Sequence, residues 1–461
     1  MHPPDSLWWS SINEPTWRPS LQRHLDVDVA IVGGGFTGLW TARELVRRDP
    51  LLRIVVLEQS LCGFGASGRN GGWASAFFPV SDSLMIRNFG LDAVHQLHTT
   101  LQNSVAALGE AAAGDGIAAD FHQGGTLTFA RSELQAQRLK SFVTSTRTHE
   151  FHEGDLVWLD PGAARERANV ADSHGATYSP HCARLQPAHL VRGLADACER
   201  QGISIFEGTT VQRLVPAKGN HPAEVITAGG SVHAKYVVRA TEGFTPTLPG
   251  LRRKVAPIYS LMVATEPLTD EFWQEAGLSN FETFTDDRHL IVYGQRTADN
   301  RIAFGGRGAP YHFGSTVEER FDQNPKVFRV LEATLRDFFP SMHGAITHQW
   351  GGPLAMPRDQ MPSVIVDHES GLAHAGGYTG DGVVLSYVSA NALADLITSP
   401  QRTTAYTQLP FVGHLGRKWE FEPWRWLGIN AGLGLATWAD HHESRRGVTS
   451  RASHLLDRLL Q

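Results

Sequence analysis

Gly33, Gly35 and Gly38 stand at the spacing G-x-G-x-x-G directly after the β-branched run "VDVAIV" (27–32), and Glu58 lies 20 residues beyond the last of them. That constellation binds rather than reacts. Gly33 can take the unusual dihedrals of a tight turn, Gly35 lets main chain approach a pyrophosphate, and Gly38 lets the following helix lie close on the strand. Phe36 and Thr37 open that helix, whose N-terminus offers unpaired N–H groups and a partial positive charge to phosphates. "RIVVLEQ" reads as a second strand ending in Glu58, whose carboxylate can accept hydrogen bonds from both hydroxyls of a ribose. The unit predicts an ADP-containing dinucleotide as ligand.

The next stretch narrows the choice of dinucleotide. "LCGFGASGRNGGW" (61–73) holds Gly65, Ala66, Ser67, Gly71 and Gly72 with little side-chain bulk, and sets Arg69 and Asn70 among them as polar donors. A ribbon of this kind suits main-chain contact with the ribityl chain and flat ring of a flavin, so FAD is expected rather than NAD. Arginine is the natural anchor for a substrate carboxylate, because its planar fork makes two hydrogen bonds at once. Arg307 after "AFGG" leads the candidates, followed by Arg288 and Arg184, and Tyr259, Tyr293 and Trp350 are candidate pocket walls. HExxH is absent, the 22 histidines are scattered and the three cysteines have no C-x-x-C spacing, so no metal site is expected.

"VDVAIVGGGFTGLWTARELVRR", "LEQSLCGFGASGRNGGW", "VVRATEGFTPTLPG" and "GGYTGDGVVLSYVSANALADLI" together resemble the FAD-dependent D-amino acid oxidase and glycine oxidase superfamily, and within it the γ-glutamylputrescine oxidase-like branch. The likeness runs over roughly residues 5 to 400. It implies that Thr241 and Gly243 close on the cofactor, with Glu242 intruding into the family's A-T-G pattern. It implies too that Gly377, Tyr378, Thr379, Gly380, Gly382 and Val383 meet the pyrimidine edge of the flavin, where a helix N-terminus stabilises developing negative charge. Val211, in "VQRLV", completes the expected cofactor set. In such enzymes the hydride comes from the carbon next to an amine, and the imine product hydrolyses in water. Where relatives place a lysine over the flavin, "RIAFGGRG" has Ala303, and Lys254 or Arg307 are the electrostatic substitutes. Residues 350–366 contain no cysteine, so noncovalent FAD is expected.

The expected reaction is therefore oxidation of an amine or amino acid, with an acid-bearing or γ-glutamylated amine favoured and O2 or another molecule as electron acceptor. Oxidation of a 2-hydroxy acid or polyol phosphate on the same fold is the alternative, and a flavin-binding subunit without turnover is a third reading.

The elements that must hold these residues follow from periodicity. Apolar residues three and four apart from Val94 to Leu108 predict a helix, "FHQGGTLTFA" predicts strands, and "LQPAHLVRGLADACERQG" predicts a helix with Cys198 in the core and Gly202 as its stop. "VAPIYSLMVATEPL", "HLIVYGQR" and "RIAFGGRG" predict neighbouring antiparallel strands. The fold class is α/β (α+β overall). A discontinuous Rossmann-like FAD-binding domain (1–90, 176–245 and 346–400) is joined to a substrate domain with a mixed antiparallel sheet (91–175 and 246–345) and a C-terminal helical extension (401–461).

Bulk properties bound the partners. A length of 461 residues suits two or three domains, and the charge balance, 41 basic against 47 acidic residues, contains no basic block, which speaks against nucleic acid or an anionic membrane. No apolar run is long enough to span a bilayer, and the N-terminus lacks a secretory pattern, so the cytoplasm is the expected location. The tryptophan-rich tail reads as a surface packed on the body or on a second copy in a homo-oligomer, or as a membrane-surface helix.

Overall fold

The computed structural model describes residues 2–12, 17–148 and 154–450. The first two strands, Leu25–Val32 and Ile54–Leu57, pair in parallel through the register Val29 to Ile54, and the helix Phe36–Arg48 crosses between them. The crossover is possible because a Cβ on Gly38 would strike the Gly33 carbonyl. Parallel pairing extends to Ser231–Arg239 and Leu372–Gly376 on one side and to Ser204–Phe206 on the other. The central strand is covered over its second half, with Val29, Ala30, Ile31 and Val32 all buried, as a sheet flanked on both faces requires. Ser363–Asp367 and the pair Val211–Val215 and Ala223–Thr227 add antiparallel edges, giving eight strands.

A second eight-stranded sheet runs in the order Ile346–Met356, Ala256–Thr265, Ile302–Gly306, Val292–Arg296, Thr283–Asp286, Thr126–Phe129, Ala176–Ser179, Val157–Leu159. All its pairings are antiparallel except that of Thr283–Asp286 with Thr126–Phe129. Phe284 and Phe304 of this sheet share one apolar cluster with Phe328, Phe338 and Phe339 of the helix Pro325–Phe338 and its C-cap.

The expected segment boundaries and the observed strands differ at three places. Ala176–Ser179 and Ile346–Met356 pair in the second sheet rather than the nucleotide sheet. The helix predicted around 94–108 spans Leu91–Gly114, and its Val94, Leu97, Leu101 and Val105 share one core with Leu39, Leu194 and Leu393 of the nucleotide-side helices. A helix that precedes a sheet in sequence packs wherever its apolar stripe finds an unfilled face, and here that face belongs to the other sheet.

The tail forms a helix, Trp424–Arg446, docked on the second sheet's side. Asp440 accepts the N–H groups of His289 (2.7 Å) and Leu290 (2.9 Å), and Glu443 pairs with Arg138 at 2.7 Å. No helix among the described residues is long and apolar enough to cross a membrane. Residues 451–461 of the expected extension lie outside the described residues.

Candidate active site

A cavity of about 720 Å3 runs between the two sheets. Drug-sized ligands fill roughly 300–1,000 Å3, so this one admits a large guest. One end is lined by Glu58, Gln59, Thr210 and Val211, the middle by Gly33, Gly35, Phe36, Thr37 and the ribbon from Gly63 to Gly71, and the far end by Ser260, Tyr293, Arg307 and Thr379–Val383.

At one end Glu58 follows directly on the strand Ile54–Leu57 and lines the cavity. The Glu58 carboxylate accepts the N–H groups of Gly34 (2.8 Å) and Ser60 (2.9 Å), and burial holds its pKa above the usual carboxylate range. Two carboxylate oxygens offer about four acceptor positions, so capacity remains for hydroxyl donors. Gly33 has φ +114, and a Cβ there would strike the Ala240 carbonyl. A Cβ on Gly35 would come within 2.8 Å of Ser67 Oγ, and that hydroxyl accepts the Phe36 N–H at 2.8 Å. Fingerprint turn and ribbon are thus tied together at the helix N-terminus.

The ribbon lines the cavity, and neighbouring protein also limits the bulk of its glycines. A Cβ on Gly63 would strike Val191, on Gly68 the Gly63 carbonyl, on Gly71 the Tyr293 ring, and on Gly72 the Gln295 side chain and the Leu185 carbonyl. Protein atoms therefore set the low bulk at four positions. At Gly65 a Cβ would meet only ordinary contact with Phe244 at 3.4 Å. Arg69 and Asn70 are also committed to protein. Arg69 pairs with Asp322 at 2.5 Å and donates to the Gly351 carbonyl at 2.9 Å; Asn70 donates to the Ala66 and Ser67 carbonyls and accepts the Gly72 N–H. Both stitch the ribbon in place rather than presenting free donors.

At the far end the strand Ala256–Thr265 decides which side chains face the cavity. Side chains alternate along a strand. Ser260 lines the cavity and exchanges a hydrogen bond with the Tyr293 hydroxyl at 2.8 Å, whereas Tyr259 faces away and bonds the main chain of Glu318. Tyr293 covers Gly71 and Gly305, and meets Trp73 edge-on with centroids 6.1 Å apart.

Of the three arginine candidates, Arg307 and Arg288 line the cavity and Arg184 does not. Arg288 is neutralised by Asp286, with Nε to Oδ1 at 2.7 Å and Nη2 to Oδ2 at 2.5 Å. Arg307 donates Nη2 to the Thr379 carbonyl at 2.5 Å and has no carboxylate within 4 Å among the described residues. Arg184 is buried with its guanidinium 4.4 Å from the Phe281 ring centroid, on the strand that pairs with Trp73–Ser75.

Other expected residues also stand off the cavity. Trp350 lies under the ribbon, donating Nε1 to the Arg69 carbonyl at 2.9 Å. Gly38 and Gly72 are packed against protein as described, and a Cβ on Gly377 would meet Pro357. Lys254 lines a separate small cavity with Arg239, His374 and Glu242, so it is removed from the place an electrostatic substitute would need. Glu242 lines both cavities. Its carboxylate accepts the N–H groups of Gly377 (2.8 Å) and Tyr378 (3.3 Å), and desolvation pushes its pKa up to about 7. The intruding residue is a strut for the last glycine turn.

Ser260, Asp381 and the run Thr285–Asp286–Asp287 line the cavity without having been expected. Strand alternation opposite Tyr259 could have found Ser260, and the position between Gly380 and Gly382 could have found Asp381. Nothing in the sequence marks the third group. Cys62, Cys182 and Cys198 are buried with thiols pushed up by burial, and none lines the cavity.

The cavity thus joins a glycine-rich strand–turn–helix unit and a carboxylate at one end to a polar chamber at the other. The family model for FAD dependent oxidoreductases (DAO) matches residues 28–396, and the chain belongs to that family. It is similar to the probable oxidoreductase OrdL of Haemophilus influenzae, with 28% identity over 400 residues, 85% of this chain and 88% of that one. It is similar also to the gamma-glutamylputrescine oxidoreductase of Escherichia coli, with 27% identity over 88% of this chain and 92% of the other. Among solved structures, glycine oxidase from Geobacillus kaustophilus superposes with a TM-score of 0.70 at 23% identity, over 85% of this chain and all of that one. The protein is an FAD-dependent oxidoreductase, and Glu58, Gly33, Gly35–Thr37, Ala66, Ser67, Thr241, Gly243, Thr379, Gly380, Gly382 and Val383 line the cavity that would hold the cofactor.

Proposed function

We propose that the protein oxidises the CH–NH bond of an amine or amino acid that carries an acid group, γ-glutamylated amines included. The flavin, when bound, accepts the hydride from the carbon next to nitrogen. The chain's own task is to hold that carbon and to anchor the far end of the substrate. Arg307 carries the reading: it lines the chamber, is half-buried, and is the arginine there without a carboxylate within 4 Å among the described residues. A guanidinium stays protonated and, in such a chamber, calls for an anionic partner. A relative named for γ-glutamylputrescine and a second named sarcosine oxidase subunit beta agree with nitrogen-bearing substrates.

The product imine hydrolyses in water to a carbonyl compound, and dioxygen is reduced to hydrogen peroxide if the protein is an oxidase. With three buried thiols all outside the cavity, noncovalent FAD and a cytoplasmic setting go with this reading.

The test is anaerobic bleaching of the bound flavin by a panel of acid-bearing amines, set against 2-hydroxy acids and polyol phosphates. Reduction by amines with ammonia or amine release supports the proposal; reduction by hydroxy acids alone overturns it. Arg307→Gln should raise the half-saturating amine concentration roughly 10- to 100-fold, equivalent to the ~1.5–3 kcal/mol of a charge-assisted hydrogen bond.

A further inference from the structure

Five acidic residues line the cavity: Glu58, Glu242, Asp286, Asp287 and Asp381. Four of them are satisfied by protein. Glu58 and Glu242 accept main-chain N–H groups, Asp286 holds Arg288, and Asp287 holds Arg138 at 2.7 Å. Asp381 is the exception. It sits at the N-cap of the helix Gly382–Thr398, yet its side chain makes no capping bond, and no hydrogen bond to it is formed among the described residues. Its facing charge is Arg307, which lies beyond ion-pair distance and gives its guanidinium to the Thr379 carbonyl. Burial accordingly pushes the Asp381 carboxyl up to about 6.

The cations of the cavity repeat the pattern. Arg69 holds Asp322, Arg288 holds Asp286, and Arg307 is left over. The protein thus leaves one positive and one negative side chain unmatched, both in the chamber that Ser260 and Tyr293 share. A buried charge without a partner costs several kcal/mol, so a chamber that keeps two of opposite sign is complementary to a guest carrying both signs.

Resting on the amine reading above, we propose that Asp381 receives the substrate's amine, first as the counter-ion of its ammonium and then as acceptor of its proton, while Arg307 takes the acid. In that transfer one N–H bond of the ammonium breaks and one O–H bond forms on the Asp381 carboxylate; no electrons change hands. The amine is left neutral, the form from which a hydride can depart. A carboxyl held near neutrality by burial suits an acceptor that must later release the proton.

The test uses FAD-loaded wild type and Asp381→Asn with two matched pairs of probes: sarcosine with methoxyacetate, which has an ether oxygen in place of the amine, and γ-glutamylputrescine with γ-glutamylbutylamide, which lacks the terminal amine. Reacting amines are read by anaerobic flavin reduction, the partners lacking that amine by perturbation of the visible flavin spectrum. In the pair that wild type accepts, D381N should raise the half-saturating concentration of the reacting amine at least tenfold and leave the partner that lacks it within twofold. Equal behaviour of wild type and D381N toward the amine overturns the proposal alone, and so does an equal loss of both partners. If none of these amines reduces wild-type flavin, the amine reading falls and takes the proposal with it. FAD content is measured throughout, and Asp381→Ser is read in the same way should D381N fail to retain FAD.

Discussion

Tyr259 and Ser260 are neighbours with opposite duties. The tyrosine hydroxyl bonds the Glu318 main chain, whereas the serine hydroxyl meets Tyr293 in the chamber. Tyr259→Phe should therefore leave flavin reduction within twofold and lower stability by ~1 kcal/mol in urea unfolding, the usual contribution of one hydrogen bond. Tyr293→Phe should do the reverse, changing the reduction rate with little change in stability, because its hydroxyl serves the chamber. At this scale the sequence was legible where a residue's role is local. Glu58 and the turn glycines act within one βα unit and their spacing announces them. The order Arg307, Arg288, Arg184 rested in the sequence on position alone; what separates them in the structure is their neighbours, Asp286 beside Arg288 and the Phe281 ring beside Arg184, which the sequence does not announce.

At the scale of elements, the glycine turn after Leu372–Gly376 depends on a strut from a different segment. Glu242 has φ +36 and holds Gly377 and Tyr378 through a carboxylate whose pKa stands at about 7. A raised carboxyl pKa means that the fold favours the protonated form. Its stabilising effect is complete below the ordinary value near 4.5 and is lost as pH rises through about 7. With flavin removed, so that the ring's own charge does not enter, Glu242→Gln should flatten the fall in thermal midpoint between pH 5 and 7.5. A profile unchanged by the substitution would reject the strut's role in that fall. Helices and strands were readable from their periods, since each carries its own pattern of burial. The allotment of Leu91–Gly114, Ala176–Ser179 and Ile346–Met356 to one sheet or the other was not, because an amphipathic element records that it is covered and not by what.

For the molecule as a whole, the two sheets are joined at several points outside the cofactor path. Arg69 reaches from the ribbon to Asp322 and Gly351, Trp350 returns to Arg69, and Gln295 donates to the Gly71 carbonyl at 2.6 Å. The tail helix fastens the second sheet from outside through Asp440 and Glu443. Asp440→Ala leaves two buried-side N–H groups without their acceptor and should cost about 1–3 kcal/mol of stability while FAD content per folded chain stays constant, as checked by unfolding and by absorbance. The discontinuous plan was visible because the fingerprint, the "ATEG" segment and the "GGYTGDG" turn are each self-contained. The stitching was not, since none of its bonds joins near neighbours.

The crowding around Gly71 carries one more consequence. The ring of Tyr293 stands where any side chain on Gly71 would have to go, so the two positions form a lock whose halves cannot drift separately. Enlarging one to alanine, or trimming the other to leucine, should each lower the amount of cofactor retained, and combining both changes should cost less than the sum of the separate losses. The scarcity of side chain in this part of the backbone then registers the size of its neighbour as much as the shape of its guest.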